Sequence, residues 1–334
     1  MLHILTSKNN RDNDEIEGFG HRWDNDVVYG KWAGTATADV LMPGLAKGAS
    51  RAVSFKPLFG LLNQPKFIPL AYCPLTMEFE ICNVATDPIV TPGSTKYTAA
   101  VTSDVWQISD MRVVCDVVTL DSALQNSYAE HVLSGKALPI NYGTYVSQYQ
   151  TIGTDATNFS LSVTRAVSRL KSVFLNFDLD HGVTYDSDAC HSVVNSFVSP
   201  MLNASYALGG YDFTKELQWS LQIGSKKFPE HDCRGLAETF YQLKKSLGIH
   251  GSAYHSVAIT PEQYRNDHFI IGIDTEKILE AGFTGLNTRA GDLMIVKGRG
   301  ANSKLPDNWA KSVYIMLHTD QILEIRDTGC QVFD

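Results

Sequence analysis

The ten histidines are the first residues to test for chemistry, because histidine is the commonest metal ligand and a proton carrier near neutral pH. A metal site on facing strands would need an H-x-H pair followed by a glutamate and a third histidine, and no H-x-H occurs. His250 and His255 are close together in a turn-rich stretch that has no acidic ligand at useful spacing. We therefore predict surface or loop histidines and no metal-binding residues.

Two groups of carboxylates could act as calcium ligands or as general acid–base pairs. The run DNDEIE (Asp12–Glu17) lacks the glycine at position six and the glutamate at position twelve of an EF-hand loop. Asp178 and Asp180 in NFDLD lie at the end of a predicted strand, beside His181 and Gly182, which is typical of the start of a loop. Both groups are interpreted as solvated carboxylates.

Motifs that bind phosphate or hold a catalytic nucleophile are also absent from the sequence. The GRG at Gly298–Gly300 follows a strand but does not open a helix, so it is interpreted as a hairpin loop rather than a phosphate cradle. No G-x-S-x-G motif is present to hold a catalytic serine. We predict no catalytic residues, no cofactor-binding residues and no cofactor, and hence a protein that is not an enzyme.

Composition narrows the class of protein. The chain has 334 residues, of which 44% are hydrophobic and 19% charged, as in packed globular proteins. The net charge is −8 and no Lys/Arg-rich block occurs, so we expect no direct binding to nucleic acid. No stretch approaches the ~20 apolar residues of a membrane span, and no signal peptide is visible at the N-terminus.

Cysteine usage indicates free thiols in a reducing compartment. The six cysteines form no C-x-x-C pair, and a chain of this size needs no disulfide scaffold. Cys82, Cys115 and Cys330 lie in strand-like runs, where we expect small buried hydrophobic residues.

Strand patterns dominate the elements that would carry any site. In KELQWSLQIGSKKFPE (Lys215–Glu230), Leu217, Trp219, Leu221 and Ile223 alternate with polar residues until Gly224-Ser225. The same period of two predicts further strands at LTMEFEIC (75–82), MRVVCDVVTL (111–120), FSLSV (159–163), SVFLNF (172–177), FIIGI (269–273), DLMIVK (292–297), SVYIMLH (312–318), QILEI (321–325) and CQVF (330–333). Many short strands joined by Gly, Pro and Asn turns predict an antiparallel sandwich.

Two helices are predicted among these strands. RGLAETFYQLKKSLG places Leu236, Phe240, Leu243 and Leu247 on one face and ends at Gly248. DSALQNSYAEHVLSG has Asp121 or Ser122 as a cap, an apolar face of Leu124, Tyr128 and Val132, and a stop at Gly135. The predicted class is all-β with a few inserted helices.

An internal repeat predicts two sandwiches in tandem. The stretch that begins at Phe59 and the stretch that begins at Phe283 both give Phe, Gly, Leu and Asn in that order, then a turn and a strand. About twice as many residues separate Asn158 from Asn287 as precede Asn63. We therefore expect the first sandwich to be incomplete at its N-terminus. Residues 1–334 alone should aggregate, and an upstream extension should restore a soluble protein.

Several stretches resemble one protein family. Five of them resemble the second domain of double jelly-roll major capsid proteins of small eukaryotic DNA viruses. They are FSLSVTRAVSRLKSVFLNF (159–177), LQWSLQIGSKKFPE (217–230), LAETFYQLKKSLGI (236–249), FTGLNTRAGDLMIV (283–296) and DQILEIRDTGCQVFD (320–334). The resemblance is to polinton-like viruses, adintoviruses and virophages. LLNQPKFIPL (61–70) and LDSALQNSYAEHVLSGKALPI (120–140) resemble the end of the first jelly roll and the linker after it.

The resemblance implies an architecture and a role. Residues 1–156 would be the C-terminal part of the first jelly roll and a linker, and residues 157–334 a second, eight-stranded antiparallel jelly roll. Three copies would form a homotrimeric, pseudo-hexagonal capsomer, and capsomers would tile an icosahedral shell with penton and minor capsid proteins. The chain would be made inside a host cell and end in the virion.

An alternative function is a carbohydrate-binding jelly-roll module of the lectin or fibre-head kind. NYGTYVSQY (Asn141–Tyr149) could provide an aromatic platform for a sugar, although we interpret it as a linker whose tyrosines pack between two rolls. A jelly-roll enzyme has no candidate residues in its favour.

Overall fold

The protein is described by a computed structural model of the chain. It describes residues 52–57, 59–80, 105–153, 156–178, 216–249, 261–266, 268–276, 285–289, 292–300 and 312–334, with short pieces at 48, 50, 90–91, 101–102, 199–200, 202–203, 210–211, 257 and 259. Some residues interpreted above lie outside these ranges, so their interpretations stay predictions. They are the acidic run Asp12–Glu17, Asp180, His250, His255, Cys82 and Cys190.

Two antiparallel sheets form a sandwich. Their strands are β3 (Leu138–Thr151), β4 (Asn158–Val163), β5 (Leu170–Asp178), β8 (Leu217–Ile223), β9 (Lys226–Arg234), β10 (Ile270–Asp274), β11 (Met294–Gly300), β12 (Ser312–Arg326) and β13 (Gly329–Phe333). The larger sheet has the order β10-β5-β12-β3, with β13 beside the second half of β12, and the smaller has the order β4-β11-β8-β9. Two short hairpins pair β1 (Val90–Thr91) with β2 (Val101–Thr102) and β6 (Leu202–Asn203) with β7 (Gly210–Tyr211).

The strand order is that of a jelly roll. When the eight strands β3, β4, β5, β8, β9, β10, β11 and β12 are counted from one to eight, the sheets read 1-8-3-6 and 2-7-4-5. Only strands four and five, β8 and β9, are joined within one sheet, by a two-residue hairpin at Gly224-Ser225. Every other connection crosses between the sheets, which is the double Greek-key path of a jelly roll.

The core lies between the two sheets and follows the alternation seen in the sequence. Leu217, Trp219, Leu221 and Ile223 of β8 are at most 3% exposed, as predicted. The ring of Phe159 on β4 packs edge-on against Phe177 on β5, with centroids 6.0 Å apart, so the two sheets meet directly. The predicted strands at FSLSV, SVFLNF, FIIGI, DLMIVK and CQVF are confirmed.

Two predictions for the end of the chain are corrected. SVYIMLH and QILEI belong to one continuous strand, β12, which bends at a register shift between His318 and Thr319. Gly298–Gly300 lie in β11 and not in a loop. A glycine is needed at position 298 because a Cβ there would overlap the Phe159 ring on the neighbouring strand.

The linker interpretation of Asn141–Tyr149 is also wrong. These residues lie in β3, which pairs with β12 from Thr151↔Ser312 to Leu138↔Ile325. The first strand of this roll therefore precedes residue 157, where we expected the second domain to begin. A further roll within residues 1–156 stays a prediction, as does the position of any boundary between two domains.

Two runs with the strand pattern do not form strands. Residues 75–80 and 111–120 are described without helix or strand, and they have no strand partner within the described residues. Alternation alone does not make a strand, because its N–H and C=O groups need a neighbouring chain. Cys115 in the second run is exposed, contrary to the expected burial, and so is Cys330 in β13.

The predicted helices form where expected. Helix α1 (Ser122–Leu133) is capped by Asp121, whose carboxylate accepts a hydrogen bond from Leu124 N at 2.7 Å. Helix α2 (Gly235–Ser246) follows β9 directly and packs on β10, with Leu243 fully buried. Its apolar face is the predicted one, since Leu236, Phe240 and Leu247 pack against the core. A short helix α3 (Pro261–Asn266) precedes β10, and a 3₁₀ turn spans Gly60–Leu62.

The two repeated Phe-Gly-Leu-Asn stretches share one structural feature. A Cβ on Gly60 would overlap the backbone carbonyl of Gly143 on β3. A Cβ on Gly285 would lie 2.5 Å from the carbonyl carbon of Arg169, just before β5. Both glycines therefore allow a loop to approach a neighbouring backbone closely.

Among the helices of the described residues, none is long and apolar enough to cross a membrane.

Candidate assembly surface

The aromatic residues of β3 and β12 line one face of the larger sheet. Tyr145 stacks on His318 with ring centroids 4.7 Å apart, and Tyr149 lies 5.0 Å from Tyr314. The register explains both contacts, because each pair consists of directly opposed residues. Tyr149 is 52% exposed and Tyr314 37%, so this aromatic patch (Tyr145, Tyr149, Tyr314 and His318) is open at one end.

His318 is the half-buried end of the aromatic patch. Burial is the main reason that its pKa falls to about 4; the positive charge of Lys171 lowers it further, and Asp320 acts in the opposite sense. Its Nδ1 lies 3.3 Å from the Ser172 hydroxyl. The ring is therefore neutral near pH 7 and serves as a flat packing partner for Tyr145.

An ion cluster borders His318 on the same strands. Lys171 Nζ lies 3.5 Å from a carboxylate oxygen of Glu276 and 3.5 Å from one of Asp320. All three side chains are at most 25% exposed. A lysine shared by two carboxylates is held in place rather than poised for chemistry, and it ties β5 to β12 and to the residues after β10.

Two glutamines of β3 connect the sheets at the opposite face of that strand. The Nε2 atoms of Gln148 and Gln150 both donate to Ser162 O of β4, Gln148 at 3.0 Å. Gln148 Oε1 in turn accepts from Thr164 N at 3.0 Å. These bonds close the sandwich beside β3, so the aromatic patch is displayed on a fixed strand.

A second exposed surface lies before helix α1. Residues 108–118, called here the exposed segment, present six large apolar side chains that are 53–94% exposed: Ile108, Met111, Val113, Val114, Val117 and Val118. Contiguous exposed apolar side chains on this scale mark interaction surfaces in soluble proteins. The strand prediction for 111–120 failed here, and only Met111, Val113 and Val117 of these six residues belong to the apolar face that its alternation predicts.

Within the described residues, no group of three or more His, Cys, Asp or Glu side chains is placed to hold a metal ion. Asp178 lies at the end of β5, where the sequence placed it. Tyr145, Tyr149 and His318 were not predicted as a group, although residues four apart in a strand lie on the same face, so the i, i+4 spacing of the two tyrosines could have revealed their common face.

Comparison with solved structures gives matches that include viral capsid proteins. The chain matches VP54 of PBCV-1, as fitted into a reconstruction of the virophage Sputnik, with 9% identity, a TM-score of 0.38, and coverage of 64% of this chain and 55% of that one. It matches the PBCV-1 capsid with 10% identity, a TM-score of 0.37 and coverage of 64% and 55%. The Sputnik virophage structure itself gives 12% identity, a TM-score of 0.32 and coverage of 59% and 39%.

The chain spans about half the length of the first of these structures. Neither a protein-family model nor a curated protein sequence matches it.

Proposed function

We propose that the chain is a structural subunit of a viral shell, a major capsid protein that works by packing against copies of itself. The observation that carries the proposal is a rigid jelly roll in a chain that also exposes a run of apolar side chains, the exposed segment. The capsid-like stretches of the sequence point the same way. A shell protein needs a stiff wall and surfaces that neighbours cover, and it needs no catalytic group.

The proposed assembly is a homotrimer. Each subunit of a closed three-fold ring offers one surface to the next subunit and a different surface to the previous one. The aromatic patch and the exposed segment are two chemically different surfaces, so they suit contacts in which unlike faces meet. The trimer would be a capsomer of pseudo-hexagonal outline in an icosahedral virion, meeting penton and minor capsid proteins at its edges.

A carbohydrate-binding module is the second candidate, favoured by the exposed pair Tyr149 and Tyr314. Sugar platforms present an aromatic ring face to the ligand. The two rings are tilted by 55° to each other, and the neighbouring Tyr145 ring is already covered by His318. The two exposed rings therefore do not form one flat platform, which supports the shell function over sugar binding.

The product of the natural gene should be purified and its mass measured by light scattering after size exclusion. We expect a trimer of the 36.9 kDa chain, and triangular or hexagonal particles by negative stain. A monodisperse monomer that binds a glycan array, with binding lost in Tyr149→Ala, would overturn the shell function in favour of the sugar-binding one.

A further inference from the structure

Cys73 and Cys330 are brought together from opposite ends of the described chain. Cys73 ends the turn Pro69–Cys73, in which Pro69 O accepts from Cys73 N at 3.0 Å. It is 4% exposed and packs in a small core cluster with Ile140, Leu323 and Ile325. Cys330 is exposed on β13, directly opposite Ile325 of that cluster.

The Cys330 thiol lies beside the stretch of backbone that carries Cys73. Cys330 Sγ donates a hydrogen bond to the carbonyl oxygen of Tyr72 at 3.4 Å, which places it next to Cys73. The pKa of the Cys73 thiol is raised to about 11, mainly by burial and in smaller part by a hydrogen bond with Cys330 and the charge of the Cys330 thiolate. One thiol of the pair is therefore reachable from solvent, while the other is buried behind it.

We propose that Cys73 and Cys330 form an intramolecular disulfide when the chain meets an oxidising small-molecule disulfide such as oxidised glutathione. Both cysteines are free thiols in the structure. In a reducing compartment the pair would stay open, and it would close once the protein leaves that compartment. The proposal concerns the isolated chain and does not depend on the shell function.

The exchange follows the exposure of the two sulfurs. The Cys330 thiolate attacks one sulfur of oxidised glutathione, forming a mixed disulfide and releasing one glutathione thiolate. The Cys73 thiolate then attacks Cys330 Sγ, forming the protein disulfide and releasing the second glutathione. Two protein thiols are oxidised, one glutathione disulfide is reduced to two glutathione thiols, and both protons go to solvent or to the released thiolates.

Closure would fasten the last strand of the chain. All five residues of β13 are exposed, and β13 pairs only with β12 within the described residues. A covalent link from Cys330 to the turn Pro69–Cys73 would hold β13 against a part of the chain that precedes the jelly roll. Oxidation should therefore protect the C-terminus against carboxypeptidase digestion.

The test uses the full chain, reduced and then incubated with oxidised glutathione, trapped by alkylation, digested and analysed by mass spectrometry. We expect a peptide that links Cys73 to Cys330, an intact mass lower by about 2 Da, and slower carboxypeptidase digestion. Because Cys73 must ionise for the second step, closure of the mixed disulfide should accelerate as pH rises from 7 to 9. Cys73→Ser and Cys330→Ser should each abolish the linked peptide, and the matched control Cys115→Ser, at another exposed cysteine, should leave it unchanged.

Three outcomes would overturn the proposal. The first is a stable glutathione adduct on Cys330 that never resolves. The second is a disulfide between Cys330 of two chains in preference to the internal link. The third is an internal link that forms with Cys115 instead of Cys73.

Discussion

Residues 111–118 and residues 217–223 carry nearly the same alternation of apolar and polar side chains, yet their environments are opposite. In β8, Leu217 and Trp219 are at most 1% exposed, whereas Met111 and Val113 are 68% and 66% exposed. The difference is the neighbours: β8 lies between β11 and β9, while residues 111–118 have no strand partner in the described part of the chain. A period of two thus records which side chains suit a buried face, and the partner strand decides whether that face is buried.

The largest expected effect comes from a mutation in β8, the buried region of this comparison. Trp219→Ala should lower the free energy of unfolding by about 3–5 kcal/mol, because it empties a large volume in the core. It also removes the donor to the Thr239 hydroxyl, 2.9 Å from Trp219 Nε1. The control is Val114→Ala in the exposed segment, which should change the free energy by less than about 0.5 kcal/mol. Chemical unfolding followed by circular dichroism would measure both, and equal losses would contradict the contrast.

The next prediction uses a titratable group that strand pairing has buried. The pKa of His318 is about 4 in the folded chain against an ordinary 6.5, so the unfolded chain binds the extra proton between these values. The associated stability is fully present above pH 6.5, is lost as pH falls towards 4, and changes no further below that. The full loss is about 3 kcal/mol.

His318→Phe keeps an aromatic ring on Tyr145 but cannot take up the proton. Unfolding measured at steps from pH 7 to pH 4 should therefore show a shallower loss of stability in the variant than in the parent chain. Carboxylates titrate equally in both proteins, so the difference between the two curves reports on His318. Parallel curves would show that His318 is protonated in the folded chain without penalty.

Sequence reasoning predicted the sandwich and most of its strands because their burial pattern is local. The face of β8, the cap at Asp121 and the apolar side of α2 each follow from residues within a few positions of one another. The place of β3 does not, since Asn141–Tyr149 is assigned to a sheet only by β12, far along the chain. For the same reason the contact of Tyr145 with His318 could not be read from either stretch alone.

The proximity of Cys73 to Cys330 could not be predicted from local sequence either. The two residues are at opposite ends of the described chain, and no spacing rule relates them. Cys330 was expected to be buried because CQVF alternates, whereas β13 exposes both of its faces. Assembly surfaces are harder still to predict from a sequence, because the residues that such a surface contacts belong to another chain.

A smaller effect tests how the paired region holds α2. A Cβ on Gly272 of β10 would lie 3.0 Å from the Leu243 Cα and would also overlap the Ser246 hydroxyl. Gly272→Ala should therefore cost about 1–3 kcal/mol through overpacking. The matched control is Gly153→Ala, where a Cβ would meet nothing within 4 Å. Hydrogen exchange should show faster opening of α2 in the first variant alone, and equal protection of α2 in both would contradict the packing argument.

The smallest expected effect on folding belongs to the exposed segment, where it separates folding from assembly. Val113 and Val117 are 66% and 74% exposed, so replacing both with serine should change the free energy of unfolding of the dissociated chain by less than about 0.5 kcal/mol for each. Val173→Ser, on the fully buried face of β5, is the matched control and should be strongly destabilising. If a second copy covers the exposed segment, as the proposed trimer requires, the double variant should dissociate at a higher protein concentration while each chain stays as stable as before. Loss of stability in the dissociated double variant would mean that these valines already pack within their own chain. An unchanged dissociation curve would mean that the trimer uses another surface.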